Sequence, residues 1–101
     1  MTVYVIARVQ AKAEHRGEVE TELRRMVAAT RAEPGCLRYD LFADQDGGAG
    51  FSLFEAYTGA AALDAHRDSA HYQAYRGRTG DWLAAPTEVQ VLDGLDVAPF
   101  V

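Results

Sequence analysis

The chain has 101 residues, of which 49% are hydrophobic and 25% charged, and its formal net charge is −5 at pH 7. A chain of this length forms one domain, residues 1–101, and its acidic balance excludes the basic surface that nucleic acid requires. The lone Cys36 excludes an internal disulfide framework, and no run approaches the roughly 20 apolar residues of a membrane span, so we expect a cytoplasmic protein without membrane partners.

The first strand and the first helix are predicted from a change in hydrophobic period. Residues 2–11 alternate between two faces and are rich in β-branched side chains, which predicts a strand. From about residue 14 to residue 32 the apolar side chains recur at helical spacing instead; this stripe comprises Val19, Leu23, Met26, Val27 and Thr30. The helix is expected to end before Gly35, because Pro34 restricts the residue that precedes it.

Three further strands are predicted from alternation and from the turn residues that bound them. These strands span residues 36–44, 51–57 and 88–95. A polar, glycine-rich loop connects the first two of them, and it lacks the Lys-Ser/Thr pair of a phosphate-binding loop. The sequence therefore predicts a pair of neighbouring strands in the middle of the chain.

A broken helix is predicted between the third and fourth strands. Thr58 is the predicted N-cap of its first part. Asp68 or Ser69 is placed to cap a second part that runs from residue 70 to about residue 78. The tail at residues 96–101 is apolar, and we expect it to pack on another surface, such as a partner subunit.

The order of these elements predicts an α+β fold. A βαββαβ order is typical of the ferredoxin-like arrangement, a four-stranded antiparallel sheet with helices on one face. The other face of the sheet also carries large apolar side chains, among them Ile6 and Phe42, and needs a cover. We therefore predict a homodimer that pairs through this face.

The third strand places a carboxylate among apolar side chains. The residues that share one face of this strand are Phe51, Leu53, Glu55 and Tyr57. An unpaired buried charge costs on the order of several kcal/mol, so Glu55 requires a proton or a partner. His66 and His71 follow it closely and are candidate partners.

The same two histidines are weighed as metal ligands. His66 and His71 are five residues apart, whereas two ligands on one face of a helix are usually four apart. No third ligand pattern accompanies them. The spacing therefore predicts no metal site.

Three segments resemble the antibiotic biosynthesis monooxygenase family: EPGCLRYD at residues 33–40, FSLFEAY at 51–57 and HRDSAHY at 66–72. The resemblance covers almost the whole chain and implies a dimeric α+β barrel. It also implies one of two activities, the cofactor-free oxidation of a quinol or anthrone by O₂ or the isomerisation of a phosphorylated dione in autoinducer-2 breakdown. Haem cleavage is not expected, because the Asn in the first strand and the Trp after the third strand that such members use are absent.

The leading hypothesis is a cofactor-free monooxygenase that acts on a quinol-like or polyketide-derived phenolic substrate. Such an enzyme needs a base, an anchor for a substrate oxygen and a dry pocket. His66 is the predicted base, because its unperturbed pKa is suitable, and Glu55 is its predicted partner. The predicted substrate-binding residues are Arg38, Tyr57, His71, Tyr72, Tyr75 and Trp82.

Two alternatives use these residues differently. An isomerase of a small phosphorylated dicarbonyl needs a cation for the phosphate, which Arg38 or Arg67 could supply. In a non-enzymatic barrel that binds a small apolar ligand, Glu55 would instead form a structural ion pair with Arg38, and His66 would interact with a helix dipole. A polar cavity around Glu55 would argue against this last alternative.

Overall fold

The structure, a computed structural model, describes residues 1–99 and has the predicted order of elements. The strands are β1 (Val3–Gln10), β2 (Cys36–Ala43), β3 (Gly50–Tyr57) and β4 (Glu88–Leu92). The α-helices are α1 (Arg16–Arg31), α2 (Ala60–Asp68) and α3 (Ala70–Thr79), and short 3₁₀ turns occupy Ala13–His15 and Gly80–Trp82. The predicted α+β, ferredoxin-like fold is confirmed.

The four strands form one antiparallel sheet in the order β2-β3-β1-β4. The central strand β3 pairs with β1 on one side and with β2 on the other. In this register Glu55 lies between Val5 of β1 and Tyr39 of β2. Both of these neighbours are buried, so the carboxylate predicted from alternation lies on the helix-facing side of the sheet.

The core forms between α1 and the helix-facing side of the sheet. The apolar stripe of α1 contributes Val19 and Leu23, which are fully buried, and the inward residues of β1 contribute Val5 and Val9. Outside this stripe the helix carries charged side chains, such as Glu20, which pairs with both Arg16 and Arg24. The helical period and the strand alternation therefore place the core as predicted.

The turn after α1 packs tightly against α2. A Cβ atom on Gly35 would overlap the Cβ of Ala62 and would also approach the hydroxyl of Thr58 at 3.2 Å. Glycine is needed at this position for close approach, since its φ is not in the left-handed region. The turn that contains Glu33 is thereby held against the helix that carries His66.

The predicted helix break lies at Ser69, whose backbone is extended (φ −66°, ψ 151°). Its hydroxyl oxygen accepts a hydrogen bond from the backbone N–H of Tyr72 at 3.2 Å, so Ser69 is the N-cap of α3. The prediction that Thr58 caps α2 is wrong. The cap position is occupied by Gly59, and it makes no side-chain hydrogen bond.

The outer face of the sheet carries several partly exposed apolar side chains. Ile6, Phe42 and Leu92 retain 39%, 55% and 39% exposure, and Tyr4 stacks on Phe54 on the same face. Strand β4 ends at Leu92 rather than at residue 95. Of the tail that we expected to pack, Phe100 and Val101 lie outside the described residues. Within residues 1–99, no helix is both long and apolar enough to cross a membrane.

Candidate active site

A cavity of about 600 Å³ lies between the helices and the helix-facing side of the sheet. Its apolar wall includes Val5, Ala7, Leu23, Met26, Leu53 and Leu63. Its polar lining includes Glu55, His66, Arg67, Tyr72, Tyr75 and Arg76. An apolar cavity with a few converging polar groups is the usual form of a small-molecule site, and its volume suits a ligand of one or a few rings.

His66 is anchored by a carboxylate from the turn after α1. Nδ1 of His66 lies 2.8 Å from Oε2 of Glu33, and Nε2 of His71 lies 2.6 Å from the same oxygen. The three residues come from three different segments, which the close packing of Gly35 and the break at Ser69 bring together. One carboxylate oxygen therefore joins two histidine rings.

The ring of His66 is buried in an aromatic surrounding. Its centroid lies 5.0 Å from that of Tyr72 and 5.5 Å from those of Tyr39 and Tyr57. Burial lowers the pKa of His66, and the bond to Glu33 opposes this shift. In a neutral ring whose Nδ1–H is donated to Glu33, Nε2 carries a lone pair and can accept a proton.

Glu55 is held by its neighbour on the same face of β3. The hydroxyl of Tyr57 donates a hydrogen bond to Oε1 of Glu55 at 2.5 Å, and both side chains are buried. Burial raises the pKa of Glu55 to about 7, while the bond from Tyr57 and the charge of Arg67 lower it. Glu55 therefore exchanges a proton near neutral pH, as a general acid or base requires.

Two of the predicted tyrosines line the cavity from α3. Tyr72 contacts the edge of the His66 ring, and Tyr75 lies one turn further along the helix. The hydroxyl of Tyr75 is buried and has no hydrogen-bond partner among residues 1–99. The neighbouring Thr79 hydroxyl donates to the backbone carbonyl of Tyr75 instead, at 2.8 Å. The Tyr75 hydroxyl is therefore a buried polar group in a residue that lines the cavity.

Of the six predicted substrate-binding residues, Tyr72 and Tyr75 line the cavity, and four do not: Arg38, Tyr57, His71 and Trp82. Arg38 is on β2 with its side chain 44% exposed, and its Nε donates to Asp40 at 2.6 Å, whereas the adjacent Tyr39 points into the core. Trp82 is not part of the cavity wall; its ring stacks on His15 at 5.7 Å. Neither Arg38 nor Trp82 lies at the cavity wall, and their role in substrate binding stays a prediction.

Glu55 and His66 were predicted to pair with each other, but the structure gives each of them another hydrogen-bond partner. Glu55 bonds to Tyr57 and His66 bonds to Glu33, so each has a different partner from the one expected. In the sequence, Glu33 is marked only as the end of the first helix. Its position in the EPGCLRYD segment, one of the three that carry the family resemblance, was the signal that could have identified it.

A five-residue spacing separates the two histidines only if both lie on one continuous helix. The structure places His66 in the last turn of α2 and His71 in the first turn of α3. The ligand atoms of these two histidines and of Glu33 all lie within 4.8 Å of one another. The five-residue spacing is therefore no obstacle to a shared ligand.

Comparisons with known proteins agree with this fold. A family model described as antibiotic biosynthesis monooxygenase matches residues 2–78. "Putative monooxygenase Rv0793" of Mycobacterium tuberculosis is 45% identical over 96 residues, which cover 95% of this chain and 94% of that protein. "Putative monooxygenase YcnE" of Bacillus subtilis is 32% identical over 83 residues, which cover 82% of this chain and 87% of that protein.

Solved structures show the same similarity. The structure of Rv0793 has a TM-score of 0.93 to this chain at 43% identity, and the match covers 98% of this chain and 100% of the other. The crystal structure of PA3566 from Pseudomonas aeruginosa has a TM-score of 0.88 at 32% identity, with 94% and 95% of the two chains covered. The likeness therefore extends over the whole domain.

Proposed function

The chain belongs to the antibiotic biosynthesis monooxygenase family, and from this premise we propose that it oxidises a quinol-like or polyketide-derived phenol with molecular oxygen and without a cofactor. The observation that carries the proposal is the placement of His66, held at Nδ1 by Glu33, in the wall of a largely apolar cavity. The two relatives named as putative monooxygenases support the same class of reaction.

His66 acts as the base in this proposal. The bond to Glu33 fixes the tautomer with the hydrogen on Nδ1 and leaves Nε2 to accept the phenolic proton. The lowered pKa of His66 keeps the ring neutral before substrate binds, and the Glu33 carboxylate stabilises the imidazolium that forms. This arrangement replaces the Glu55 partner that the sequence suggested.

Glu55 supplies a second proton-exchanging group on the wall of the same cavity. With a pKa of about 7, it can release a proton to a developing oxyanion or take one from a carbon centre. Arg67 and Arg76 also line the cavity and favour an anionic phenolate there. Tyr75 also lines the cavity, and its hydroxyl, which has no hydrogen-bond partner within residues 1–99, is proposed to hold a substrate oxygen.

The reaction balances without an external reductant. The base removes the phenolic proton, the phenolate transfers electron density to O₂, and a carbon–oxygen bond forms at a hydrogen-bearing ring carbon ortho or para to the phenolate oxygen. Loss of water from the resulting hydroperoxide gives the quinone, so a phenol and one O₂ yield a quinone and one water. The substrate supplies the electrons that reduce the second oxygen atom, and the apolar wall keeps bulk water from the intermediates.

A homodimer is part of the proposal. The outer face of the sheet carries Ile6, Phe42 and Leu92 at 39 to 55% exposure, and exposed apolar side chains grouped on one face favour burial against a partner. A second copy has the same face, so the two sheets can pack together about a twofold axis. The cavity lies on the opposite side of each sheet and stays accessible.

The test is oxygen uptake by the purified, metal-free protein with a panel of reduced quinols and anthrones, after subtraction of autoxidation. His66→Ala should reduce turnover by about 10² to 10⁴-fold, the usual contribution of a general base. His15→Ala is the matched control, since His15 pairs with Glu18 away from the cavity. A His66→Ala variant with the same turnover as wild type would show that His66 is not the base.

The same panel separates the monooxygenase from the isomerase alternative. Turnover of phenols should cease under nitrogen. Conversion of phosphorylated dicarbonyls under nitrogen, with no oxygen uptake on any phenol, would reject the proposed reaction while leaving the cavity as the site.

A further inference from the structure

Three atoms that can ligate a metal lie close together at the Nδ1 edge of the His66 ring. They are Oε2 of Glu33, Nδ1 of His66 and Nε2 of His71, which lie within 4.8 Å of one another. The chain has three histidines, and two of them meet at this one carboxylate. The residues come from the turn after α1, the end of α2 and the start of α3, so the fold and not one local motif assembles them.

The donor set selects a class of cation. Two imidazole nitrogens and one carboxylate oxygen suit borderline divalent ions such as Zn²⁺, Co²⁺ and Ni²⁺. Mg²⁺ and Ca²⁺ prefer ligand sets made of oxygen and are poorly matched. Three protein ligands leave one or more positions for water, which is the usual form of an open zinc site.

A bound zinc ion requires the three side chains to adjust. Ligand atoms around a tetrahedral Zn²⁺ lie about 3.3 Å apart, because the bonds to zinc are about 2.0 to 2.2 Å long. The two contacts to Glu33 measure 2.8 and 2.6 Å and must open by roughly 0.5 to 0.7 Å, while the two histidine nitrogens, which lie within 4.8 Å of each other, must take up the same separation. The side chains of Glu33 and His71 are 16% and 27% exposed and can move. The side chain of His66 is only 3% exposed and is held by its surroundings. The exposure of Glu33 and His71 also gives the ion a path from solvent.

We propose that Glu33, His66 and His71 bind one borderline divalent cation, such as Zn²⁺. Without the cation, Glu33 accepts hydrogen bonds from both rings. On binding, the ion takes the place of the hydrogen at these ring nitrogens, and a neutral ring then carries its hydrogen on its other nitrogen.

The site has a consequence for His66 that rests on the proposed function. A neutral imidazole that ligates a metal through Nδ1 carries its hydrogen on Nε2. Nε2 then becomes a donor and can no longer accept a proton from substrate. The cation would therefore inhibit the oxidation reversibly by binding Nδ1 of His66, without entering the substrate cavity.

Binding is tested by calorimetric titration of tag-free protein with Zn²⁺. Wild type and His15→Ala should each bind one ion per chain. Glu33→Gln and His71→Ala should each bind at least tenfold more weakly, with circular dichroism used to confirm their fold. No saturable binding, or equal affinity in all four proteins, would overturn the proposal.

A second measurement needs no variant. Proton NMR of the wild type resolves the ring signals of three histidines, and Zn²⁺ should shift those of His66 and His71 while His15 stays in place. A shift confined to His15 would overturn the site.

The activity assay then separates the two proposals. Zn²⁺ should suppress oxygen uptake with a midpoint that matches the calorimetric Kd. Zinc binding in a protein that oxidises no phenol would support the metal site and reject the proposed function alone. Full uptake at saturating Zn²⁺ would overturn the inhibition.

Discussion

The hydroxyl of Tyr57 donates to the carboxylate of Glu55 from two residues along the same strand, and both groups are buried under the helices. The pair places a titratable proton inside the domain. The pKa of Glu55 is about 7 in the folded protein, compared with 4.5 for a free side chain. At a pH between these two pKa values, Glu55 therefore keeps its proton in the folded state, whereas it has lost this proton in the unfolded state.

This difference predicts a stability that falls as pH rises. A raised pKa in the folded state gives a contribution that is fully present below pH 4.5 and lost by about pH 7, on the order of 3 kcal/mol in total. Glu55→Gln has no such proton, so the unfolding free energy of wild type relative to the variant should decrease between pH 5 and pH 8. Urea denaturation of both proteins across this range measures it, and parallel pH profiles would contradict the assignment.

Tyr57→Phe keeps the carboxyl group of Glu55 and changes its pKa instead. Removing the donated hydrogen bond takes away a contact that favours the ionised carboxylate, so the pKa of Glu55 should rise further. The pH at which the loss of stability levels off should move upward relative to wild type. A downward shift in the same urea series would show that Tyr57 does not stabilise the carboxylate.

Gly35→Ala should destabilise the domain by about 1 to 3 kcal/mol, the usual cost of overpacking. Its new methyl group would overlap Ala62 on α2. The second substitution Ala62→Gly should recover part of this loss, because it removes the overlapping atom. Chemical denaturation of the two single variants and the double variant measures the coupling, and strict additivity would show that this contact is not the cause.

Ser69→Ala should cost about 1 kcal/mol of stability, because α3 loses its N-cap acceptor for the Tyr72 amide. Ser69→Asp keeps an acceptor at this position and should retain most of the stability. Thermal unfolding monitored by circular dichroism compares the three proteins. An Asp variant as unstable as the Ala variant would assign the effect to something other than capping.

Phe42→Glu should convert the proposed homodimer into a monomer, because it places a charge on the exposed apolar face of the sheet. Ala61→Glu is the matched control, since Ala61 is exposed on α2 in the helix layer. Sedimentation equilibrium of the two variants and wild type gives the oligomeric state. A wild-type monomer, or a Phe42 variant that still dimerises, would reject the interface.

The fold could be predicted because its signals are local. Val5, Val9, Val19 and Leu23 are buried where strand alternation and helical spacing place them. Glu55 was found in the same way, since its neighbours on β3 define the buried face. The same alternation on β2 puts Arg38 and Tyr39 on opposite faces of the sheet. Because Tyr39 is on the buried face, Arg38 is directed away from the cavity.

The partner of His66 could not be found by this reasoning. Glu33 and His66 are 33 residues apart in sequence, and no periodicity connects a turn to the end of a later helix. Their contact depends on the close approach of Gly35 to α2, which is a property of the packed structure. The histidine spacing does not decide on a shared ligand, since the break at Ser69 places the two rings on different helices.

The single extended residue between α2 and α3 also limits how this chain can vary in length. An extra residue within the first turn of α3, before His71, would rotate that side chain by about 100° around the helix axis and carry it away from Glu33. The glycine-rich loop between β2 and β3 contributes no ligand atom to this cluster. Insertions and deletions should therefore accumulate in the loop at residues 44–49 and be nearly absent between His66 and His71.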